Sequence, residues 1–163
     1  MGLRNLTFPT YEVQTAGGNF AVRGLGFDHL LTLFQRHGLA MVAQFNAIAE
    51  KIRGGAQLSE ADVATFLVQA IDAAPQLVAE AIALASGSIA PSGLEDSDDP
   101  ILLTWVGDVV IARGLPVGAQ MDALEKIALQ TFTSDMPPGK MLALIQKTLQ
   151  AGGISAAPSR EVP

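Results

Sequence analysis

Alternating hydrophobic and polar residues mark the first structured part of the chain. The segments Tyr11–Thr15 and Phe20–Val22 alternate on either side of the turn sequence Ala-Gly-Gly-Asn at 16–19. Alternation around a glycine-rich turn predicts a β-hairpin. Two strands this short are marginally stable alone, so we expect the hairpin to pack against other elements.

The hydrophobic period then changes from two residues to three or four, which predicts a first helix from about Asp28 to Arg53. Asp28 lies where a helix N-cap is expected. Gly38 interrupts the pattern and predicts a kink or two shorter helices. The apolar stripe consists of Leu30, Leu31, Leu33, Phe34, Val42, Phe45, Ile48, Ala49 and Ile52.

Two shorter helices are predicted next. The first opens with Ser59 as N-cap. Pro75 then either kinks this helix or starts a new one, and a new short helix that ends near residues 86–87 is favoured. Residues 87–99 are rich in Gly, Pro, Ser and Asp and predict a loop. The apolar stripes of the two helices are Val63, Phe66, Leu67, Ala70 and Ile71, then Leu77, Val78, Ala81, Ile82 and Ala85.

Three more helices follow the loop. Asp99 as N-cap and Pro100 at the first helical position begin one that runs towards Gly114. Pro116 begins the next helix, and the two prolines at 137–138 begin the last one. The stripes are Ile101, Leu102, Trp105, Val109 and Val110; Val117, Met121, Leu124, Ile127, Ala128 and Phe132; and Met141, Leu142, Leu144, Ile145 and Leu149.

These patterns together predict a mainly α fold, a bundle of about six helices with a short N-terminal β-hairpin. Residues 1–151 are expected to form a single helical domain, although the loop at 87–99 could divide it into two lobes. Residues 152–163 are expected to form a flexible C-terminal tail.

Composition narrows the classes of function. The formal net charge is −6, the basic residues are scattered, and an acidic chain is a poor match for nucleic acid. Only 16 % of residues are charged, which suggests a surface that oligomerises or contacts a client protein. The apolar region Val63–Leu84 is interrupted by polar residues and proline, so we expect no membrane span. The chain has no cysteine, which excludes disulfides and thiol chemistry.

Candidate chemistry is sparse, and we expect no catalytic, cofactor-binding or metal residues and no enzyme. His29 and His37 are eight residues apart, whereas zinc ligands on a helix usually lie four apart. The segment 24–29 resembles a dinucleotide loop but has histidine at the third glycine position. The acidic residues Glu95, Asp96, Asp98 and Asp99 lack calcium-loop spacing, which favours a solvated loop with a helix cap. For Trp105, core packing is favoured over an interface anchor.

Two segments carry a resemblance to a known family. The run GGNFAVRGLGFDHLLTLFQRHG at 17–38 resembles the N-terminal signature of the tail assembly chaperones of long-tailed bacteriophages, also called pre-tape-measure proteins. The matching positions are Phe20, Val22, Arg23, Gly24, Leu25 and Asp28. A second run, QMDALEKIALQTF at 120–132, is similar to a later helix of that family that ends in a Thr-Phe pair.

The resemblance implies a non-enzymatic helper in phage tail morphogenesis that works in the host cell cytoplasm. Such a chaperone coats the tape measure protein and keeps it soluble and extended while the tail tube polymerises. The implied partner is the phage tape measure protein, with the tail tube protein and further copies of this chain as additional partners, and with no nucleic acid and no membrane. The alternative is a structural tail or adaptor protein retained in the virion. The apolar residues Leu25, Phe27, Leu30, Leu31 and Phe34 are then either core or client surface, with core favoured.

Overall fold

The computed structural model describes residues 2–3, 6–53, 60–133 and 135–151. Over these ranges a two-stranded hairpin precedes six helices, and the fold is 65 % helical. The elements are β1 Tyr11–Thr15, β2 Gly18–Val22, α1 Phe27–Arg53, α2 Glu60–Ala73, α3 Pro75–Ala85, α4 Pro100–Arg113, α5 Val117–Thr131 and α6 Pro138–Ala151. The predicted mainly α class with an N-terminal hairpin is confirmed.

The hairpin has the predicted register. Its strands are antiparallel, with Val13 opposite Phe20 and Tyr11 opposite Val22. Val13 and Val22 are fully buried, so one face of the hairpin belongs to the core. Gly18 ends the turn with a φ of +138°, a conformation that favours glycine.

Helix α1 begins one residue earlier than predicted, and the N-cap prediction for Asp28 is wrong. The carbonyl of Gly26 accepts the first helical hydrogen bond, from Leu30 N, and Asp28 lies within the first turn. The backbone N–H of Gly26 donates to His29 Nδ1 at 3.3 Å. His29, the third residue of the helix, thus accepts a hydrogen bond from the cap residue, as the third residue does in a capping box. Asp28 still favours the helix, because a carboxylate in the first turn complements the helix dipole.

The predicted interruption of α1 is confirmed and falls at His37, immediately before Gly38. His37 has φ −134° and ψ 32°, which are not helical values. Leu30, Leu33, Phe34 and Met41 of this helix are buried. The side chains of Phe45, Ile48, Ala49 and Ile52 and the predicted cap Ser59 lie outside the described part.

Helix α3 is the central helix of the molecule. It starts at Pro75 as predicted, and every residue from Val78 to Ala85 is buried. It contacts α1, α2, α4 and α5. The predicted stripe does lie in the core, with Leu77 partly buried against it. The rest of the helix from Val78 to Ala85 is buried as well, because its alanines let neighbouring helices approach from several directions. A helix that is apolar all round is typical of a buried position.

The ends of the later helices follow the predicted signals. Asp99 accepts a hydrogen bond from Ile101 N at 2.8 Å, which confirms it as the N-cap of α4, and Gly114 is the C-cap. Helix α6 starts at Pro138 and buries Leu142, Ile145 and Leu149.

Helix α5 buries a face that overlaps only partly with the predicted one: Ile127 is buried, and Leu124 and Phe132 pack partly buried against the core. Its buried residues are Ala119, Gln120, Ala123, Ile127 and Thr131, whereas Val117 is 53 % exposed. The buried positions at four-residue steps include Ala119 and Ala123, where small side chains let the hairpin and α3 pack against this helix. Buried Gln120 also donates from Nε2 to the carbonyls of Ala112 and Arg113, both at 3.1 Å, which ties α5 to the end of α4.

Helix lengths and composition were also compared with what a bilayer requires. No single helix among the described residues is long and apolar enough to cross a membrane. Helices α4 and α5 meet that test only when taken together, and they are bent by 113° relative to each other.

Candidate functional site on helix α4

Helix α4 is apolar on its outer side as well as on its buried side. Trp105, Val109 and Ala112 face the core. The outward side chains are nevertheless large and hydrophobic, and five of them are at least 44 % exposed: Ile101 44 %, Leu103 57 %, Val106 50 %, Val110 64 % and Ile111 66 %. The sequence predicted that Ile101 and Val110 would join the core stripe, and the structure shows that this is wrong.

The exposed residues of α4 form a continuous surface. Leu103, Val106 and Val110 are spaced by three and four residues and therefore share one side of the helix, and Gly107 lies beside them. We call these four residues the α4 face. A contiguous exposed apolar patch of this kind is characteristic of a protein interaction site rather than of ordinary solvent-facing surface.

A groove of about 460 Å³ runs beside the α4 face. Its apolar wall is made by side chains of α4, and polar groups reach it from α1, α3 and the loop before α4. The residues that line it include Leu102, Trp105, Val106, Val109, Val110, Arg113, Arg36, Gln76 and Glu95. An apolar groove with a few polar groups at its edge suits a side chain from an amphipathic helix.

A buried ionic cluster adjoins the groove and includes two of its lining residues, Arg36 and Gln76. Glu80 of α3 is 1 % exposed, and Arg36 binds its carboxylate through Nε and Nη2 at 2.8 and 2.9 Å. Gln76 Nε2 donates to the same carboxylate at 3.1 Å, and His37 Nε2 lies 2.7 Å from Oε2. Because an ionised carboxylate only accepts hydrogen bonds, His37 Nε2 carries the proton in this contact.

These hydrogen bonds keep Glu80 ionised. Burial alone raises the pKa of the Glu80 carboxyl, but hydrogen bonds from Arg36, Gln76 and His37 outweigh that effect and lower it to about 2. The hydrogen bond to Glu80 in turn raises the pKa of Arg36. The cluster is therefore a charged pair over the ordinary pH range, and the two-pronged Arg36 contact fixes its geometry.

The ionic cluster connects the break in α1 to the groove. Arg36 and His37, at the break, both bind Glu80 at the centre of α3. The Arg36 guanidinium also lies 5.8 Å from the centre of the Trp105 ring, within cation–π range. One buried carboxylate thus positions α1, α3 and the aromatic residue that lines the groove.

The two ends of the α4 face carry opposite charges. At its N-terminal end, Glu95 accepts hydrogen bonds from the backbone N–H and hydroxyl of Ser92, which lower its pKa to about 2. Asp96 and Asp98 are exposed in the same loop. At the C-terminal end Arg113 is exposed and lies 3.5 Å from Gln76. With 14 residues, α4 separates these charges by about 21 Å.

The two sequence segments that carry the family resemblance meet on another side of the molecule. Leu25 N donates to Thr131 Oγ1 at 2.9 Å, although the residues are 106 positions apart. Arg23 N donates to the carbonyl of Ala85 at 3.0 Å. A Cβ added to Gly24 would lie 2.9 Å from the carbonyl oxygen of Gln130, so only glycine fits there without a shift. These contacts dock the hairpin and the start of α1 onto α3 and α5.

The apolar residues named from the sequence are core residues. Leu30 and Phe34 are buried, and Leu25, Phe27 and Leu31 pack against the core while partly buried. Trp105 is 4 % exposed, which confirms the favoured core interpretation.

Titratable residues in the described part form no metal site. No group of three or more His, Asp or Glu residues there is arranged to hold a metal ion. In the acidic loop, Asp99 caps α4 and Glu95 binds Ser92 and Gly93 of its own loop. The sequence interpretation missed the partnership of His37 with Glu80, because the two residues are 43 positions apart and only the fold brings them together.

Comparison with known protein families identifies a family for this chain. A family model described as pre-tape measure protein matches residues 1–161, almost the entire chain, and agrees with the resemblance seen at 17–38 and 120–132. Searches of curated proteins and of solved structures returned no match.

Proposed function

The chain belongs to the pre-tape measure protein family, which suggests a role in phage tail assembly, and we propose that it acts there as a chaperone of the tape measure protein. In this proposal it binds the tape measure protein in the host cytoplasm and keeps it soluble and extended while the tail tube forms. The action is non-covalent and needs no catalytic residue.

The observation that best supports the proposal is the exposed α4 face. A long helical client presents apolar stripes, and an apolar helix face beside a groove accepts such stripes through side chains spaced by three and four residues. Leu103, Val106 and Val110 would supply the main apolar contacts. Trp105 and its supporting ionic cluster would keep the groove wall rigid.

The size and composition of the site suit temporary binding. The exposed surface consists of aliphatic side chains on one helix, and the charged groups lie at its ends. Such a contact is smaller than a permanent interface and releases its partner readily. A client held at many places by many copies would stay soluble, yet tail tube subunits could replace the copies one by one.

Co-expression with the tape measure protein of the same phage tests the proposal. We expect the wild-type chain to raise the soluble fraction of the tape measure protein and to co-purify with it. A Leu103→Asp, Val110→Asp double variant should lose both effects, because charged groups would replace two of the three apolar side chains of the α4 face. The control is Leu129→Asp, which places one aspartate on a 67 % exposed leucine of α5.

Two results would contradict the proposal. One is a tape measure protein that is equally insoluble with and without the wild-type chain. The other is a double variant that works as well as wild type, which would move the client site away from α4. Unchanged circular dichroism and thermal midpoints of all variants would show that the substitutions leave the fold intact.

The second candidate function is a structural tail or adaptor protein. It is favoured by the same exposed face, which a permanent neighbour in the virion could cover. Quantitative mass spectrometry of purified virions separates the two candidates. A chaperone should be depleted from mature particles relative to the cell lysate, whereas a structural component should be present in fixed proportion to the tail tube protein.

A further inference from the structure

The charges at the ends of the α4 face make this face complementary to itself. Asp96 and Asp98 are exposed before the helix begins, and Arg113 is exposed at its last turn. Between them the outer side consists of Leu103, Val106, Gly107 and Val110 and carries no charge. A partner that fits this pattern is apolar in the middle, basic opposite the acidic loop and acidic opposite Arg113.

A second copy of α4 has that pattern when it lies antiparallel to the first. A two-fold axis between Val106 and Gly107 puts residue 113 of one copy opposite residue 100 of the other. Leu103 then faces Val110 of the other copy, and Arg113 comes within reach of Asp98. Because the two-fold axis repeats every contact, both ends gain an oppositely charged neighbour. A parallel pairing would instead place like charges together at each end.

We propose that this protein forms a two-fold homodimer through antiparallel packing of the α4 faces. Gly107 lies next to the axis, where a small residue lets two helices approach closely. A Cβ added at Gly107 would have no neighbouring atom within 4 Å in the single chain, so that space is open to a second copy. The aliphatic residues supply the buried area and the end charges set the direction.

The expected dimer is reversible. One helix face about 21 Å long provides an interface at or below the lower end for stable complexes, which is about 1,200 Å² in total. We therefore expect a concentration-dependent equilibrium, weakened by salt because the end charges are exposed. If the proposed client function also holds, the dimer covers the same face in the absence of client, and client binding and dimerisation exclude each other.

Charge exchange between variants tests the pairing without any client. Sedimentation equilibrium should show a dimer for wild type and about a tenfold weaker one for Arg113→Glu, because both end contacts become repulsive. An Asp96→Lys, Asp98→Lys variant should be weakened similarly. Mixing these two variants should restore a dimer, since every end contact then joins opposite charges. Leu129→Asp, on α5, should dimerise like wild type.

Cysteine cross-linking tests the position of the axis, because the natural chain has no cysteine. A Gly107→Cys variant should form a disulfide-linked dimer rapidly under mild oxidation, since the two thiols meet near the axis. Leu129→Cys should cross-link far more slowly. A wild-type chain that stays monomeric at millimolar concentration overturns the proposal, and so does equal cross-linking at both positions. Because both tests use the purified chain alone, their failure would leave the client proposal to be judged by co-expression.

Discussion

At the scale of single residues, Glu80 has the largest influence on the candidate site. It is buried in the largely apolar helix α3, where it binds Gln76 of the same helix and Arg36 and His37 of α1. A buried carboxylate is costly to desolvate, and removing one partner of such a pair leaves the other uncompensated. The residue therefore stabilises one arrangement of α1 and α3 rather than simply adding stability.

The first prediction concerns the loss of this charge. Glu80→Gln should lower the free energy of unfolding by about 2–4 kcal/mol, because Arg36 loses its ionic partner while remaining partly enclosed. Urea unfolding followed by circular dichroism measures the change. Glu125→Gln on exposed α5 surface is the matched control and should stay within about 0.5 kcal/mol of wild type. An equally small effect at Glu80 would show that the cluster contributes little.

The second prediction concerns the loss of folding stability at acid pH. The pKa of Glu80 is about 2 in the fold, below the value of 4.5 expected for an unfolded chain, so the unfolded state takes up the proton first. Its stabilisation, on the order of 3 kcal/mol, is complete above pH 4.5 and is lost as the pH falls towards 2. Urea unfolding at several pH values should show this loss in wild type and a shallower one in Glu80→Gln. Parallel curves for the two proteins would contradict the assignment.

The third prediction tests the close approach at Gly24. Gly24→Ala should cost about 1–3 kcal/mol, because the new Cβ would lie 2.9 Å from the Gln130 carbonyl oxygen and the backbone must shift. Gly17→Ala, in the hairpin turn, has no atom closer than 4.0 Å and should change stability little. Thermal unfolding compares the two variants. Equal midpoints would mean that the hairpin can move away from α5 without cost.

At the scale of elements, α3 and α4 show that two helices of similar apolar composition can differ strongly in burial. Both helices are strongly apolar, but α3 is buried from Val78 to Ala85, whereas α4 exposes five large hydrophobic side chains. The difference lies in their neighbours: α3 lies among α1, α2, α4 and α5, whereas the α4 face has no covering helix among the described residues. The outer side of α4 is therefore the apolar surface on which a partner can bind.

The fourth prediction belongs to α4. Gly107→Ala should raise the stability of the dilute monomer by about 0.5–1 kcal/mol, because alanine favours helix and no atom blocks its Cβ. Chemical unfolding at low protein concentration gives the value. A destabilised variant would indicate that the outer side of α4 is covered even in the monomer.

At the scale of the whole molecule, contacts between distant parts of the chain hold the hairpin and six helices together. The N-terminal segment reaches α3 through Arg23 and α5 through Leu25, so the two segments that identify the family stabilise one another. These contacts lie apart from the α4 face. The segments that resemble the family therefore stabilise the fold, whereas the proposed binding depends on the α4 face, which belongs to neither segment.

The fifth prediction concerns stability and concentration. If the α4 faces pair, the wild-type thermal midpoint should rise with protein concentration, because the dimer binds only folded chains. The midpoint of Arg113→Glu should rise in the same way only at about tenfold higher concentration, because its dimer is about tenfold weaker. Scanning calorimetry at several concentrations measures both, and identical behaviour of the two proteins would argue against pairing.

Local signals in the sequence correctly predicted the hairpin, the proline helix starts, the cap at Asp99 and the break beside Gly38. These features depend on residues within a few positions, whose backbone preferences and hydrogen bonds act before any tertiary contact forms. The cap predicted at Asp28 lies two residues earlier, at Gly26, because Gly26 and His29 form a competing local hydrogen bond.

The sequence by itself thus determined the fold class, the order of the helices and the family. Only the tertiary structure decided that α3 is surrounded by other helices and that α5 buries Ala119 and Ala123. It also decided that Glu80 joins Arg36 and His37, and that α4 exposes five large hydrophobic side chains. Periodicity distinguishes two faces of a helix only when one is polar, and α3 and α4 have no polar face. Which side becomes core then depends on where the other helices pack.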